Sequence, residues 1–345
     1  MKYSASIFMT LCLLLLGCGM RKSKEDSTCR ISIPASYDQP IESGDFIQCI
    51  DSLILHTDKG IWISEVKDLC MNDSLVFILD MNHRIFAFDA QSGALKHSIQ
   101  NTGHSGTEYI APMAITLCDS VLYVLDLQGM SILFFDADLS FLSRIRIPCP
   151  TLDFTKVDDG FLLYNLSVTD ELKQIVHIDE SGQPVGSFFT PESHLDLLPS
   201  EHIFTEDPAG ETYFMLPLSD SIYRWKDGHP EAEYIIDFGS SRPREKSSSS
   251  PIQKGIPSAL STFLTSDYVI TSFLSHSLVN HSILHRKSGR SQAGVVNTNG
   301  AYAFFPKWQS ESALIGITES VDTATNQSKT VLLMYRLYQP ATGTD

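Results

Sequence analysis

Short apolar runs separated by polar, turn-rich segments recur along this chain at intervals of about 45 residues. The clearest copies are 73–99 (DSLVFILDMNHRIFAFDAQSGALKHSI) and 119–147 (DSVLYVLDLQGMSILFFDADLSFLSRIRI), which begin 46 residues apart. Each opens on Asp-Ser and runs through an apolar stretch to Asp80 or Asp126. A second stretch ends in Phe88-Asp89 or Phe135-Asp136, and a third follows. Runs of this length, rich in β-branched and aromatic residues and bounded by Asp, Ser and Gly, read as β-strands. A strand-rich unit repeating at such an interval is the sequence signature of a β-propeller.

Four antiparallel strands per blade, A to D from the centre outward, fit the first full unit. The pattern predicts A at 65–71, B at 75–79, C at 84–88 and D at 94–99. Asp89 to Gly93 forms the turn between C and D, where Asp caps its own backbone and Gly supplies a positive φ. The turn returns in looser form, closing at Ser140, Gly182, Gly228 and Gly289. The closing positions are 47, 42, 46 and 61 residues apart, and a loop widens the last gap. A sixth unit fits 312–317 and 331–337, with the turn-rich 322–329 between them. The early segment 46–55 (FIQCIDSLIL) completes this last blade and joins the two ends of the chain. Such closure removes exposed sheet edges. The expected fold is therefore all-β, a six-bladed propeller; seven blades leave too few residues for each. The Ser- and Pro-rich 240–251 (SSRPREKSSSSP) reads as a loop, and 259–264 as a helical turn or strand A of the fifth blade.

The N-terminus reads as a processing signal. Lys2 supplies a positive start, and 7–16 is an apolar stretch too short to span a bilayer. It ends in Leu15-Leu16-Gly17-Cys18, which resembles a bacterial lipobox; an ordinary secretory signal cut further on is the alternative. The expected organisation is a lipoprotein signal peptide at 1–17, a lipidated Cys18 with a tether to 30, the propeller at 31–338 and a tail at 339–345. Multiple acyl chains give stable anchoring. Gly19 is not the Asp associated with inner-membrane retention, so resemblance to lipoprotein signals points to the outer membrane of a cell envelope.

Of 345 residues, 43% are apolar and 19% charged, enough for a substantial core. The formal net charge of −16 repels phosphate backbones, so nucleic acid is not an expected partner. Beyond Cys12 and Cys18, five cysteines remain: Cys29, Cys49, Cys70, Cys118 and Cys149. The odd number, without CxxC or metal-ligand spacing, favours free thiols over disulfides and argues against zinc. Cys49, Cys70 and Cys118 lie in apolar runs, where a thiol acts as a small hydrophobe.

Strand order puts the D-to-A and B-to-C connections on one rim. Residues 103–109 belong to the first set, and Asp80 to Arg84 and Asp126 to Met130 to the second. The candidate ligand-binding lining is Asp80, His83, Arg84, Glu108, Tyr109 and Asp126, expected near the central channel. Equally, Asp80 and Asp126 read as caps of the B–C turns, Glu108 as a partner of loop amides, and Tyr109 as packing between blades. A phosphate cradle at 103–106 lacks the GK[ST] ending. His276, His281 and His285 do not share one strand face and read as solvated rather than as a metal cluster. His194, Asp196, Glu201 and His202 lie in a loop with a weaker claim to a metal or acid–base role. No cofactor, metal or catalytic set is indicated, and the G-x-S-x-G nucleophile elbow is absent.

The lipobox-like start, the opening at 46–80 and the loop 103–109 (GHSGTEY) together resemble the six-bladed β-propeller lipoproteins of Bacteroidetes, related in pattern to NHL-repeat propellers. That family often shows Gly-x-Gly-Pro-Gly-Glu-Tyr at the loop; this chain keeps the Glu and the Tyr but departs at Ser105 and Thr107. The resemblance implies fold rather than activity. The expected function is a membrane-anchored, non-enzymatic propeller binding a small molecule, glycan or envelope protein at its loop rim. A propeller-type hydrolase or lyase, possibly metal-assisted, acting on a sugar or lactone-like substrate is the competing expectation. A sensory or structural subunit docking through its outer surface is a third.

Overall fold

The computed structural model describes residues 28–34, 39–57, 60–191, 202–239, 257–275, 278–300, 302–322 and 327–338. Six four-stranded antiparallel sheets are arranged as the blades of a propeller. Blade 1 is Val66–Met71, Leu75–Asp80, Ile85–Asp89 and Leu95–Ile99; blade 2 is Pro112–Cys118, Val121–Asp126, Ser131–Phe135 and Phe141–Arg146. Blade 3 is Thr151–Val157, Gly160–Asn165, Ile175–Ile178 and Pro184–Phe188; blade 4 is Phe204–Glu206, Thr212–Phe214, Ser221–Lys226 and His229–Asp237. Blade 5 is Ser258–Leu264, Tyr268–Ser275, Leu278–His285 and Ser291–Gly294, so 259–264 is a strand and not a helical turn. Blade 6 takes Trp308–Gln309, Leu314–Asp322 and Gln327–Leu337 from the end of the chain and its outer strand, Ile47–Ile54, from the beginning.

Each apolar strand serves two interfaces. In strand B of blade 1, Val76 and Ile78 pack toward blade 6 while Phe77 and Leu79 pack toward blade 2. The period of two sends alternate side chains to opposite faces, and both faces are covered, so the run stays apolar throughout. Six hydrophobic clusters result, one at each junction between neighbouring blades, including the junction of blade 6 with blade 1. Burying a single large side chain such as Phe77 contributes about 1.5–3 kcal/mol.

Closure uses more chain than the sixth blade's outer strand. Cys29–Ser32 lies parallel to the outer strand of blade 4, pairing Cys29 with Tyr234 and Ser32 with Asp237. It begins inside the segment assigned above to the tether. Ile41–Glu42 then pairs with Val296–Asn297 beyond blade 5. Ile31 and Ile33 enter the junction of blades 4 and 5, and Ile41 and Phe46 that of blades 5 and 6. The N-terminal stretch is a belt that covers outer edges on its way to completing blade 6.

The recurring turn has a packing reason as well as a conformational one. Gly93 has φ +69°, and a Cβ there would collide with the carbonyl oxygen of Ile54 on blade 6. Gly182, φ +87°, stands in the same relation to the carbonyl oxygen of Arg146 on blade 2. In blades 1 and 3 the C–D turn thus presses against the preceding blade, where only glycine fits, whereas a Cβ at Gly228 or Gly289 would meet nothing.

Two readings of polar residues change. His281 is not solvated: it is buried, its Nδ1 lies 3.1 Å from the Ser272 hydroxyl, and burial lowers its pKa to about 4. His276 lies outside the described residues. The five cysteines are free, but Cys49 is exposed, as is Cys29. Burial pushes the Cys149 thiol up to about 11 and that of Cys70 up as well, making neither a nucleophile at neutral pH.

Candidate functional site

The six blades leave two differently built rims. The D–A and B–C connections form the upper rim, which holds every candidate residue singled out from the repeat. Asp80 is 0% exposed. Its carboxylate accepts from the amides of Ser64, Asn82 and Arg84 and from the Arg84 guanidinium at 2.7 Å. Burial pushes its pKa up, but the bonds from Arg84 and Ser64 outweigh this and hold it below the usual carboxylate value. Arg84 also stacks on Trp62, 4.9 Å from the ring centroid. Asp126, likewise 0% exposed, accepts from the amides of Ile110 and Ala111. Glu108 accepts from the Ser105 amide at 2.8 Å, which lowers its pKa. Tyr109 is buried between blades 1 and 2, and its hydroxyl donates to the His83 carbonyl. These groups brace the B–C turns of blades 1 and 2 and the segments that lead into those blades, and the two buried aspartates spend their hydrogen-bonding capacity on the protein.

The lower half of the axis is open. A cavity of about 500 Å³ runs along the inner strands to the A–B turns, with walls from all six blades. None of the six upper-rim candidates lines it. Its opening is on the rim opposite the one read from the sequence. Near the starts of the inner strands, side chains from several blades meet as a plug that forms the cavity's floor.

That plug is a polar cluster. Asp68, from strand A of blade 1, is buried. Its carboxylate accepts from the Ile115 amide of blade 2 at 2.6 Å and from the Trp308 indole of blade 6 at 3.0 Å. His202, leading into blade 4, places Nδ1 3.5 Å from Asp68 Oδ1. One side chain therefore joins four blades. Asp153 of blade 3 repeats half of the arrangement by accepting from the amides of Ile203 (2.7 Å) and Phe204 (3.3 Å). A backbone bulge precedes each aspartate, at Lys67 and Leu152, and turns the following residue. Burial raises the pKa of both carboxylates, that of Asp153 to about 6, while the charge of His202 acts in the opposite direction on each. His202 has φ +59°, a strained backbone for a residue with a side chain. Its ring meets that of Trp308 edge-on at 5.7 Å.

Toward the opening the walls change. Phe204 and Phe263 supply aromatic surface, and Asp119, Glu206, Asp207 and Glu311 supply carboxylates. Asp207 is engaged by Arg286 at 3.2 Å. Among the described residues, no ion pair holds Asp119, Glu206 or Glu311. Water is partly stripped from Glu206, and Asp207 and Glu311 add like charge, so its pKa is raised. No group of three or more metal-ligating side chains with metal geometry occurs among the described residues. Of the weaker sequence candidates, His202 is brought to the axis; His194, Asp196 and Glu201 lie outside the described residues, as does Cys18. Among the described residues no helix is long and apolar enough to cross a membrane. Sequence reasoning missed Asp68, Asp153, Glu206, Trp308 and Glu311. The available signal was a lone Asp at the same place in two A strands, before Leu69 and before Phe154.

The architecture has known counterparts. A predicted exported protein of Bacteroides fragilis NCTC 9343 superposes with a TM-score of 0.70 at 14% identity, over 90% of this chain and 100% of its own. A DUF4221 family member of Bacteroides vulgatus ATCC 8482 gives 0.55 at 9% identity, over 85% of this chain and 98% of its own. At such identities the likeness is one of fold. No curated protein matches the chain. Residues 28–332 match the domain of unknown function DUF4934, and the chain belongs to that family.

Proposed function

We propose that this chain is an exported, lipid-anchored propeller of the cell envelope that binds a small molecule in its lower axial cavity. The single observation behind this reading is the cavity itself. Its volume of about 500 Å³ falls inside the range of about 300–1,000 Å³ usual for small-molecule sites. Its floor is a rigid hydrogen-bonded cluster, and its walls combine aromatic surface with a few polar groups. Export is supported by the signal-like start and by the description of the Bacteroides fragilis counterpart as exported. Anchoring at Cys18, in the outer membrane, rests on the lipobox-like tetrapeptide. The described chain enters along the outer edge of blade 4, away from the axis, so an anchor there leaves the cavity open.

The reading is tested by screening a small-molecule library for shifts in melting temperature. Ligands should stabilise the wild-type protein and not Thr116→Trp, which fills the cavity from its wall. Hits that stabilise both proteins equally place the site elsewhere. Palmitate labelling in the native cell should be lost in Cys18→Ser; labelling that persists refutes the anchor.

An enzymatic reading has one observation in its favour: His202 is flanked by two buried carboxylates, one titrating near 6. Perturbed titrating groups in a cleft are suited to proton transfer. A hydrolase or lyase of this kind turns over sugar or lactone-like substrates, and His202→Gln abolishes the turnover. The amides and indole already bound to Asp68 and Asp153 make this the second choice.

A further inference from the structure

Resting on the cavity as the binding site, we infer that its occupant carries a primary ammonium group on an apolar or aromatic body. Three independent features of the walls define this chemistry. Thr155 lines the cavity at 9% exposure, and its hydroxyl has no hydrogen-bond partner among the described residues. A hydroxyl that faces the cavity with no protein partner can accept from a ligand donor in place of water. Among the described residues, no cation pairs with Asp119, Glu206 or Glu311 around the opening. Concave, partly dry surroundings strengthen their field and repel an anion. The aromatic walls, Phe204, Phe263 and Trp308, accept both an apolar body and a positive charge.

The chain itself shows the preference. Lys307 is the one Lys or Arg along this lining among the described residues, and it pairs with no carboxylate. Instead its Nζ lies 5.8 Å from the centre of the Trp308 ring. The opening thus tolerates an ammonium group against its aromatic wall while leaving Glu206 and Glu311 free for another. Glu206 and Glu311 keep surface open to solvent at the mouth, although Glu206 is partly desolvated on its cavity side, and both remain available.

The test uses isothermal titration of the folded protein with benzylamine and tyramine, and with benzyl alcohol and benzoate as uncharged and anionic counterparts. The amines should bind, benzoate should not, and benzyl alcohol should bind more weakly. The double variant Glu206→Gln/Glu311→Gln should weaken amine binding by about tenfold, and Thr155→Val by about threefold. Rising salt should weaken the amines alone. Benzyl alcohol or benzoate binding as tightly as benzylamine, in a manner lost in Thr116→Trp, overturns the assignment of charge and leaves the cavity reading standing. Amine binding that survives Thr116→Trp, or no binding by any of the four probes up to about 10 mM, overturns both.

Discussion

The two rims use the same residue types for opposite purposes. On the upper rim, Asp80 collects amides from Ser64, Asn82 and Arg84 and a guanidinium besides, and nothing of its carboxylate is left over. On the lower rim, Glu206 and Glu311 line an open cavity and have no cation among the described residues. A saturated carboxylate holds a turn; an unsaturated one in a concave wall is available to a ligand. The comparison warns against reading conspicuous repeats as sites. Asp80 and Asp126 recur because the B–C turns of blades 1 and 2 take the same brace, whereas Glu206 and Glu311 follow no repeat.

The plug between the rims offers the strongest break. Asp68→Ala strands the Ile115 amide and the Trp308 indole and loosens four blades. We expect a loss of about 3–4 kcal/mol in denaturant unfolding, since each buried donor left unpaired costs about 1–3 kcal/mol. Asp80→Ala should cost about 2–3 kcal/mol by the same reasoning, yet leave amine affinity within about twofold. A large change in binding would place function on the upper rim after all.

Asp153 sharpens the contrast through pH. Its carboxyl is raised to about 6 in the folded protein, against about 3.9 in the unfolded chain. Between these values the folded state retains a proton that the unfolded state has lost. Stability from this group is therefore greatest below pH 4 and declines as pH rises to 6, by about 2 kcal/mol. Asp80 and Glu108, with lowered values, act in the reverse sense and lose their contribution as pH falls below the unfolded carboxylate range. Buried His281, with its pKa lowered to about 4, adds stability over the same range in both proteins, so the contribution of Asp153 is read as a difference: from pH 4 to 7 the stability of wild type in unfolding curves should fall relative to that of Asp153→Asn. Equal slopes in the two proteins would remove Asp153 from the account.

The smallest effect is the most telling. Glu206→Gln/Glu311→Gln should change unfolding free energy by less than about 0.5 kcal/mol, as exposed substitutions do. A loss comparable to that of Asp80→Ala would show that these carboxylates, too, are structural.

Much of the fold was legible because it rests on period and punctuation. Alternate burial of Val76, Phe77, Ile78 and Leu79 demands an unbroken apolar run, and Gly93 and Gly182 mark turns where a Cβ has no room. The closing strand Ile47–Ile54 was visible as the one apolar run left without a blade. The belt strand Cys29–Ser32 was not, because only Ile31 among its residues is buried. The cavity was legible only in fragments. Asp68 and Asp153 look like ordinary acids in two strands, and their meeting with His202 and Trp308 depends on ring closure, which brings together residues 240 positions apart. Glu206 and Glu311 belong to different blades and share no motif.

The most direct measurement is a crystal structure of the wild-type protein soaked with tyramine. The account predicts the probe inside the lower cavity, with its ammonium group among Thr155, Glu206 and Glu311 and its ring against the aromatic wall. Tyramine bound instead beside Asp80, His83 and Arg84, with the cavity holding only solvent, would contradict it.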